Sequence, residues 1–275
     1  MNRYLGVPPR RPVIMGVVNV TPNSFSDGGQ FVAADAAIAH GQALWHAGAD
    51  ILDIGGEASN LSASAIDADT ECARILTVIA ALAATTNAII SVDTTKAVVA
   101  RRAIAAGATM VNDISAGLFD PEMFQVVADS AVTYVAGHVR GTTLAQVFDH
   151  DGVALPTVAD VIAELGARLA ALAPDARRRT WVDPGLGFGK GGDVNCNWAL
   201  LQASGAIAVA LGAPVLIGAS RKRFLRALLG PTPTLADQDA ATVGASLAAI
   251  AAGAHAVRVH NVGLLHPALT VYTHR

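Results

Sequence analysis

The chain has 275 residues, 52% of them hydrophobic and 15% charged, with a formal net charge of −3. That balance excludes intrinsic disorder, which needs low hydrophobicity and high charge, and it leaves no basic field for nucleic acid or anionic lipid. The two cysteines, Cys72 and Cys196, stand far apart without CxxC or histidine-rich neighbours, so neither a disulfide framework nor a zinc cluster is expected.

Met1–Pro12 carries three arginines and three prolines and no apolar run, so no secretory signal is expected and a cytoplasmic setting is. Short runs rich in Val, Ile and Leu then recur along the chain: Val13–Val18, Ile51–Ile54, Ile89–Val92, Thr109–Val111, Val132–Ala136, Thr180–Val182, Pro214–Gly218 and Ala256–Val259. Continuous apolar runs suit parallel strands covered on both faces. Helical stripes lie between them. Cys72, Ile75, Leu76 and Ile79 fall at i, i+3, i+4 and i+7, and Val158, Val161, Ile162, Leu165, Leu169 and Leu172 continue the pattern further along. Asp35, Thr157 and Asp193 are the expected N-caps. Two long uncharged runs, Ile75–Val92 and Ala240–Val257, are alanine-rich and interrupted. A spanning helix needs about 20 strongly apolar residues, so each run reads as a buried helix followed by a buried strand.

A connecting phrase recurs as Ala47-Gly48-Ala49, Ala106-Gly107-Ala108 and Ala252-Gly253-Ala254, with a looser copy at Leu211-Gly212-Ala213. Glycine just past a helix supplies the left-handed residue from which the next strand starts. Eight strands alternating with helices predict an α/β chain, a (β/α)8 TIM barrel forming one domain over residues 1–275, with an open doubly wound sheet as the other arrangement. The strand ends favour the barrel. Nearly every one is polar: Asn19, Asp53 or Glu57, Asp93, Asn112, His138, Asp183, Ser220, then Arg258 and His260. In a barrel all of them converge on the C-terminal mouth. The irregular stretches Thr21–Phe31, Asn60–Ala65, Arg140–Pro156 and Lys222–Asp237 follow strands and are expected as loops on that mouth.

The run from Asp183 to Lys190, DPGLGFGK, is neither a Walker A loop nor a dinucleotide fingerprint. Asp183 either takes two N–H donors from an amidine-like edge or caps a turn. In GASRKRF, residues 218–224, three cations follow a buried strand, so at least one should point into the mouth. Alternation puts Arg258 and His260 on one side of the last strand, where a guanidinium and an imidazole suit phosphate oxygens; an Arg–Asp pair is the plainer reading. Asp93 and Asn112 either read a polar heterocycle or satisfy buried backbone.

Seven segments occur together and in order: NVTPNSFSDGG at 19–29, DIGGE at 53–57, SVDT at 91–94, VND at 111–113, DPGLGFGK at 183–190, SRK at 220–222 and RVH at 258–260. By these motifs the chain resembles the dihydropteroate synthases over almost its whole length. The resemblance implies a barrel transferase of folate biosynthesis that joins hydroxymethyl-dihydropterin diphosphate to 4-aminobenzoate and releases pyrophosphate. It implies that Asp93, Asn112, Asp183 and Lys222 hold the pterin and that Asn19, Arg258 and His260 hold the diphosphate, with Mg2+ beside Asn19. Ser220, Lys222 and Phe188 would frame the aminobenzoate, with Ser59 from the second loop. Asp27 belongs to a first loop that closes over the reacting centre, so Lys222, Asp27, Arg258 and His260 are the expected catalytic set. A homodimer is implied, without nucleic-acid or membrane partners.

Two departures stand out. Where the family reads Ser-Thr-Arg-Pro-Gly after Gly-Glu, this chain reads Ala58-Ser59-Asn60-Leu61-Ser62, which loses an anion-binding fork and a stiffening proline and predicts an altered response to sulfonamides. Where the family carries Met before the fifth-strand histidine, this chain has Gly137, which removes an apolar contact beside the pterin. The second loop also raises the alternative of a divergent paralogue that binds pterin diphosphate but uses another amine. A methyltetrahydrofolate methyltransferase fits less well, because methyl transfer has no diphosphate for these cations to hold. A non-catalytic scaffold would have no reason to gather charges at strand ends.

Overall fold

The eight apolar runs form eight strands: β1 Val13–Asn19, β2 Ile51–Gly55, β3 Ile89–Asp93, β4 Met110–Asp113, β5 Thr133–Gly137, β6 Thr180–Asp183, β7 Leu216–Ile217 and β8 Ala256–Val259. The structure, a computed structural model, describes residues 11–20, 29–57, 65–148 and 154–274. All strand pairs are parallel, in the order β6-β5-β4-β3-β2-β1-β8-β7. An open sheet would leave β6 and β7 as edges. Instead Val182 bridges Val215, and Val182 N donates to Pro214 O at 2.9 Å, so the sheet closes on itself. This closure decides between the two expected arrangements in favour of the barrel. The seventh strand is shorter than the apolar run Pro214–Gly218, because proline has no N–H to give a ladder and a turn begins at Ser220.

Alternation divides each strand between two cores. Val13, Met15, Ile51, Met110, Val135, Trp181, Leu216 and Ala256 pack together inside the ring, all fully buried. The other face of each strand packs under the helices, with Tyr134, Leu52 and Val257 among its members. A barrel interior filled this way is a solid floor, not a pore. Truncating Trp181 to alanine would cost about 3–5 kcal/mol. One step toward the C-terminal end, the same inward alternation changes from apolar to polar: Asp53 on β2, Asn112 on β4, Asp183 on β6 and Arg258 on β8. The site is therefore the next layer of the same packing.

The helices start where caps allow. Thr157 and Asp160 form a reciprocal capping box, and Asp193 accepts from Cys196 N at 2.7 Å. Asp35 is not a cap. The helix Gly29–His46 already contains it, because the alanines on both sides keep the segment helical through the aspartate. The recurrent αβ turns hold Gly48, Gly107, Gly212 and Gly253 at φ between 60° and 118°, the left-handed region predicted for them. Two stretches expected as loops contain helices, Leu144–Phe148 and Arg223–Leu229. Among the described residues no single helix is long and apolar enough to cross a membrane. The bent pair Val194–Gln202 and Ser204–Leu211 has the composition, but Leu200, Leu201 and Ile207 are fully buried against the barrel.

Candidate active site

At the centre of the mouth Arg258 spans two carboxylates. Its Nε donates to Asp53 Oδ2 at 2.6 Å and its Nη2 to Asp93 Oδ2 at 2.7 Å. Asn112 Nδ2 donates to the same Asp53 oxygen at 2.9 Å. Asp53 is fully buried, and its Oδ1 has no hydrogen-bond partner among the described residues. Burial works against the charge of Arg258, but Asp53 and Asp93 more than offset it, and its pKa rises. Burial lifts Asp93 to about 7, with Arg258 pulling it back and Asp53 pushing it further up. Arg258 is thus paired, as the plainer reading of the strand allowed, yet it is paired within the mouth and stays partly exposed.

The opposite wall is held by backbone. Asp183 Oδ1 accepts from Gly185 N at 2.7 Å. Burial raises the Asp183 pKa, and the cations of Lys222 and Arg258 both draw it down. Lys222 Nζ donates to the Leu186 carbonyl and lies 4.0 Å from the centre of the Phe188 ring. Burial lowers the Lys222 pKa to about 8, opposed chiefly by Asp183. Asp183, Lys222 and Phe188 therefore share one cluster, and Arg258 acts on it electrostatically.

Ser220 and His260 form a pair beside it. His260 N donates to Ser220 Oγ at 3.2 Å, and the same hydroxyl lies 2.8 Å from His260 Nδ1. Burial, with Arg258 and Arg221 nearby, lowers the His260 pKa to about 4, so the ring is neutral near pH 7. Asn19 ends β1 exposed, and its amide has no hydrogen-bond partner among the described residues. Asp27 and Ser59 lie outside the described residues, as do Asn60 and Leu61.

His138 does not face the substrate side. Its ring joins Glu164 Oε2 at 2.8 Å and Lys190 Nζ at 2.9 Å. The fully buried Lys190 ammonium also donates to the carbonyls of Gly185 and Phe188, so it ties the glycine-rich loop to β5. Burial lowers Lys190 to about 7 and His138 to about 4. A Cβ at Gly137 would lie 2.5 Å from Ile114 Cα. The space left by the missing methionine is therefore taken by the backbone after β4, and glycine is required there.

Sequence reasoning named the strand end near β2 as Asp53 or Glu57 without assigning either a role. The strand places Asp53 inward against Arg258, whereas Glu57 accepts from Ile66 N and Lys96 Nζ at the base of the following loop. The available signal was an aspartate inside an otherwise apolar run, which burial makes costly unless it is paired.

The sequence pattern of the pterin binding enzymes matches residues 15–260. The chain is 42% identical over 268 residues to the dihydropteroate synthase of Mycobacterium leprae, covering 94% of this chain and 91% of that one. The chain belongs to the dihydropteroate synthase family of pterin binding enzymes. It is also 40% identical over 261 residues to a mitochondrial folate synthesis bifunctional protein of Arabidopsis thaliana, of which it spans 47%; it thus matches only one part of that longer protein. A dihydropteroate synthase of Xanthomonas albilineans with 4-aminobenzoic acid superposes with a TM-score of 0.84 at 41% identity, over 96% of this chain and 92% of that one. The fold and the order of the seven motifs agree with that membership.

Proposed function

We propose that this chain condenses hydroxymethyl-dihydropterin diphosphate with 4-aminobenzoate to give dihydropteroate and pyrophosphate. The observation that carries the reading is the convergence of Asp93, Asn112, Asp183, Lys222, Arg258 and His260 on one mouth, with Arg258 paired to Asp93 on one wall and Asp183 beside Lys222 on the other. The C–O bond between the pterin methylene and the diphosphate breaks, and its electron pair leaves with pyrophosphate. The arylamine nitrogen forms the new C–N bond and then sheds a proton to solvent. A neutral arylamine is nucleophilic, so the site needs charge stabilisation more than a strong base.

Asp93, Asn112 and Asp183 would accept from or donate to the polar edge of the pterin, and Lys222 would lie over the ring edge and bind the incoming aminobenzoate with Ser220 and Phe188. For the diphosphate to engage Arg258 and the pterin to engage Asp93, the 2.7 Å pair between those residues must exchange for substrate contacts. With its proton on Nε2, the neutral His260 ring would add a donor to the leaving group. Preorganised donors of this kind lower the barrier without reorganising during the reaction.

Among the described residues no three His, Cys, Asp or Glu side chains group as metal ligands. The Asn19 amide oxygen at the end of β1, without a partner among the described residues, still suits Mg2+, which keeps several waters and binds largely through substrate phosphates. Mg2+ would supply positive charge to the departing diphosphate. Asp27 and the Ser59 loop would complete the site. A cytoplasmic homodimer accords with this reading.

The test is turnover with pterin diphosphate and 4-aminobenzoate, with and without a sulfonamide. Dihydropteroate formation is expected, with altered inhibition because of Asn60 and Leu61. Pterin binding without turnover would instead select the divergent paralogue.

A further inference from the structure

Arg221 lies between two site residues and faces away from the site. It has φ of 57°, one of two non-glycine residues with positive φ among those described. It is the third residue of the turn Ala219–Lys222, closed by Lys222 N donating to Ala219 O at 3.2 Å. Positive φ at that position is normally supplied by glycine or asparagine, because a Cβ crowds the carbonyl there. The turn has a visible result. Ser220 before it meets His260, and Lys222 after it meets the Leu186 carbonyl and the Phe188 ring.

What holds an arginine in that conformation is the helix Leu235–Ala251. Arg221 Nε and Nη2 donate to the two carboxylate oxygens of Asp239 at 2.7 and 3.1 Å. Arg221 N donates to Thr242 Oγ1 at 3.1 Å. Asp239 and Thr242, three residues apart, share one helix face, and both are buried. Asp239 Oδ2 also accepts from Asn261 Nδ2 at 2.9 Å. Asn261 directly follows His260, and its Oδ1 caps the helix Val262–Thr273 through Leu264 N. A single carboxylate outside the mouth therefore grips the residue beside Ser220 and Lys222 and the residue beside His260.

We propose that Asp239 is a positioning residue for the reaction, holding Arg221 in its left-handed conformation and Asn261 beside it so that Lys222, Ser220 and His260 all face the substrates. The proposal rests on the synthase reading and adds to it a residue outside all seven motifs. Asp239 touches no substrate; it acts through the backbone of two strand ends.

The experiment compares wild type, Asp239→Asn, Arg221→Ala and Arg221→Gly in the full chain, by kcat and KM for each substrate and by melting temperature. Arg221→Ala loses the fork while keeping the Cβ that disfavours positive φ, and misplacement of about 1 Å at a site of this kind costs on the order of 10²-fold. Asp239→Asn is expected to fall in kcat/KM in the same direction, by about 10-fold or more. Arg221→Gly loses the same ion pair but adopts the turn without strain, so it should retain at least about 10-fold more kcat/KM than Arg221→Ala. A merely structural ion pair would make the two variants alike. Equal activity of Arg221→Gly and Arg221→Ala, or wild-type kinetics in Asp239→Asn, would overturn the proposal. If Asp239→Asn does not fold, the glycine-to-alanine comparison decides alone. Absence of turnover in the wild-type chain would instead overturn the synthase reading on which the proposal stands.

Discussion

The two walls of the mouth are built on different principles. On the β2–β4 side, side chains hold side chains: Arg258 binds Asp53 and Asp93, and Asn112 binds Asp53. On the β6–β7 side, backbone holds side chains: Gly185 N binds Asp183 and the Leu186 carbonyl takes Lys222. In the first wall Arg258 is already paired before substrate arrives, so binding must exchange partners. The second keeps a desolvated ammonium poised without an ion pair of its own among the described residues. The contrast predicts a larger loss of stability from substitutions in the first wall than in the second.

That contrast is broken most directly at Arg258. Arg258→Ala leaves Asp53 buried and unpaired, and removing one partner of a buried pair costs about 3–5 kcal/mol. Urea unfolding should show that loss, and the KM for pterin diphosphate should rise. A stability equal to wild type would mean that the first wall is not held by charge. Lys222→Ala tests the opposite wall. It should lower kcat by about 10²–10³-fold, the range for losing a preorganised donor, with little change in melting temperature, since burial already disfavours the ammonium. A large drop in melting temperature would erase the distinction between the walls.

Gly137→Ala bears on the packing beneath the first wall. With Ile114 Cα 2.5 Å from the new methyl, overpacking should cost about 1–3 kcal/mol and displace the chain after Asn112. Thermal unfolding at wild-type temperature would show that the backbone after β4 yields freely. The smallest effect is in pH. Lys222 is lowered to about 8, so raising pH through that value removes its proton, and kcat/KM should decline by up to about tenfold per pH unit on the alkaline side. Lys222→Arg keeps its charge and should carry the decline to higher pH. An unmoved limb in that variant would assign the titration to another group.

Much of this was readable in the residues because it depends on local period. Apolar runs located the strands, and a polar residue at each end located the mouth. Alternation then placed Arg258 and His260 on one side. What could not be read were partners set by closure of the ring. Arg258 meets Asp53 from 205 residues away, and Lys190 meets His138 from 52. Asp239 lies at the start of an alanine-rich helix whose local pattern says only that it is buried. Arg221 is invisible for a different reason: nothing in SRK announces a left-handed backbone at its centre, because the stabilising carboxylate is 18 residues downstream. Asp35 shows the converse, a good capping residue overridden by the alanines around it.

The most direct test of the central claim is steady-state release of pyrophosphate by the wild-type chain from pterin diphosphate, measured with and without 4-aminobenzoate and alongside Lys222→Ala. The two walls acting together predict release that depends on aminobenzoate and is lost in Lys222→Ala while the fold survives. Aminobenzoate-dependent release undiminished in folded Lys222→Ala, or none in the wild type, would contradict it.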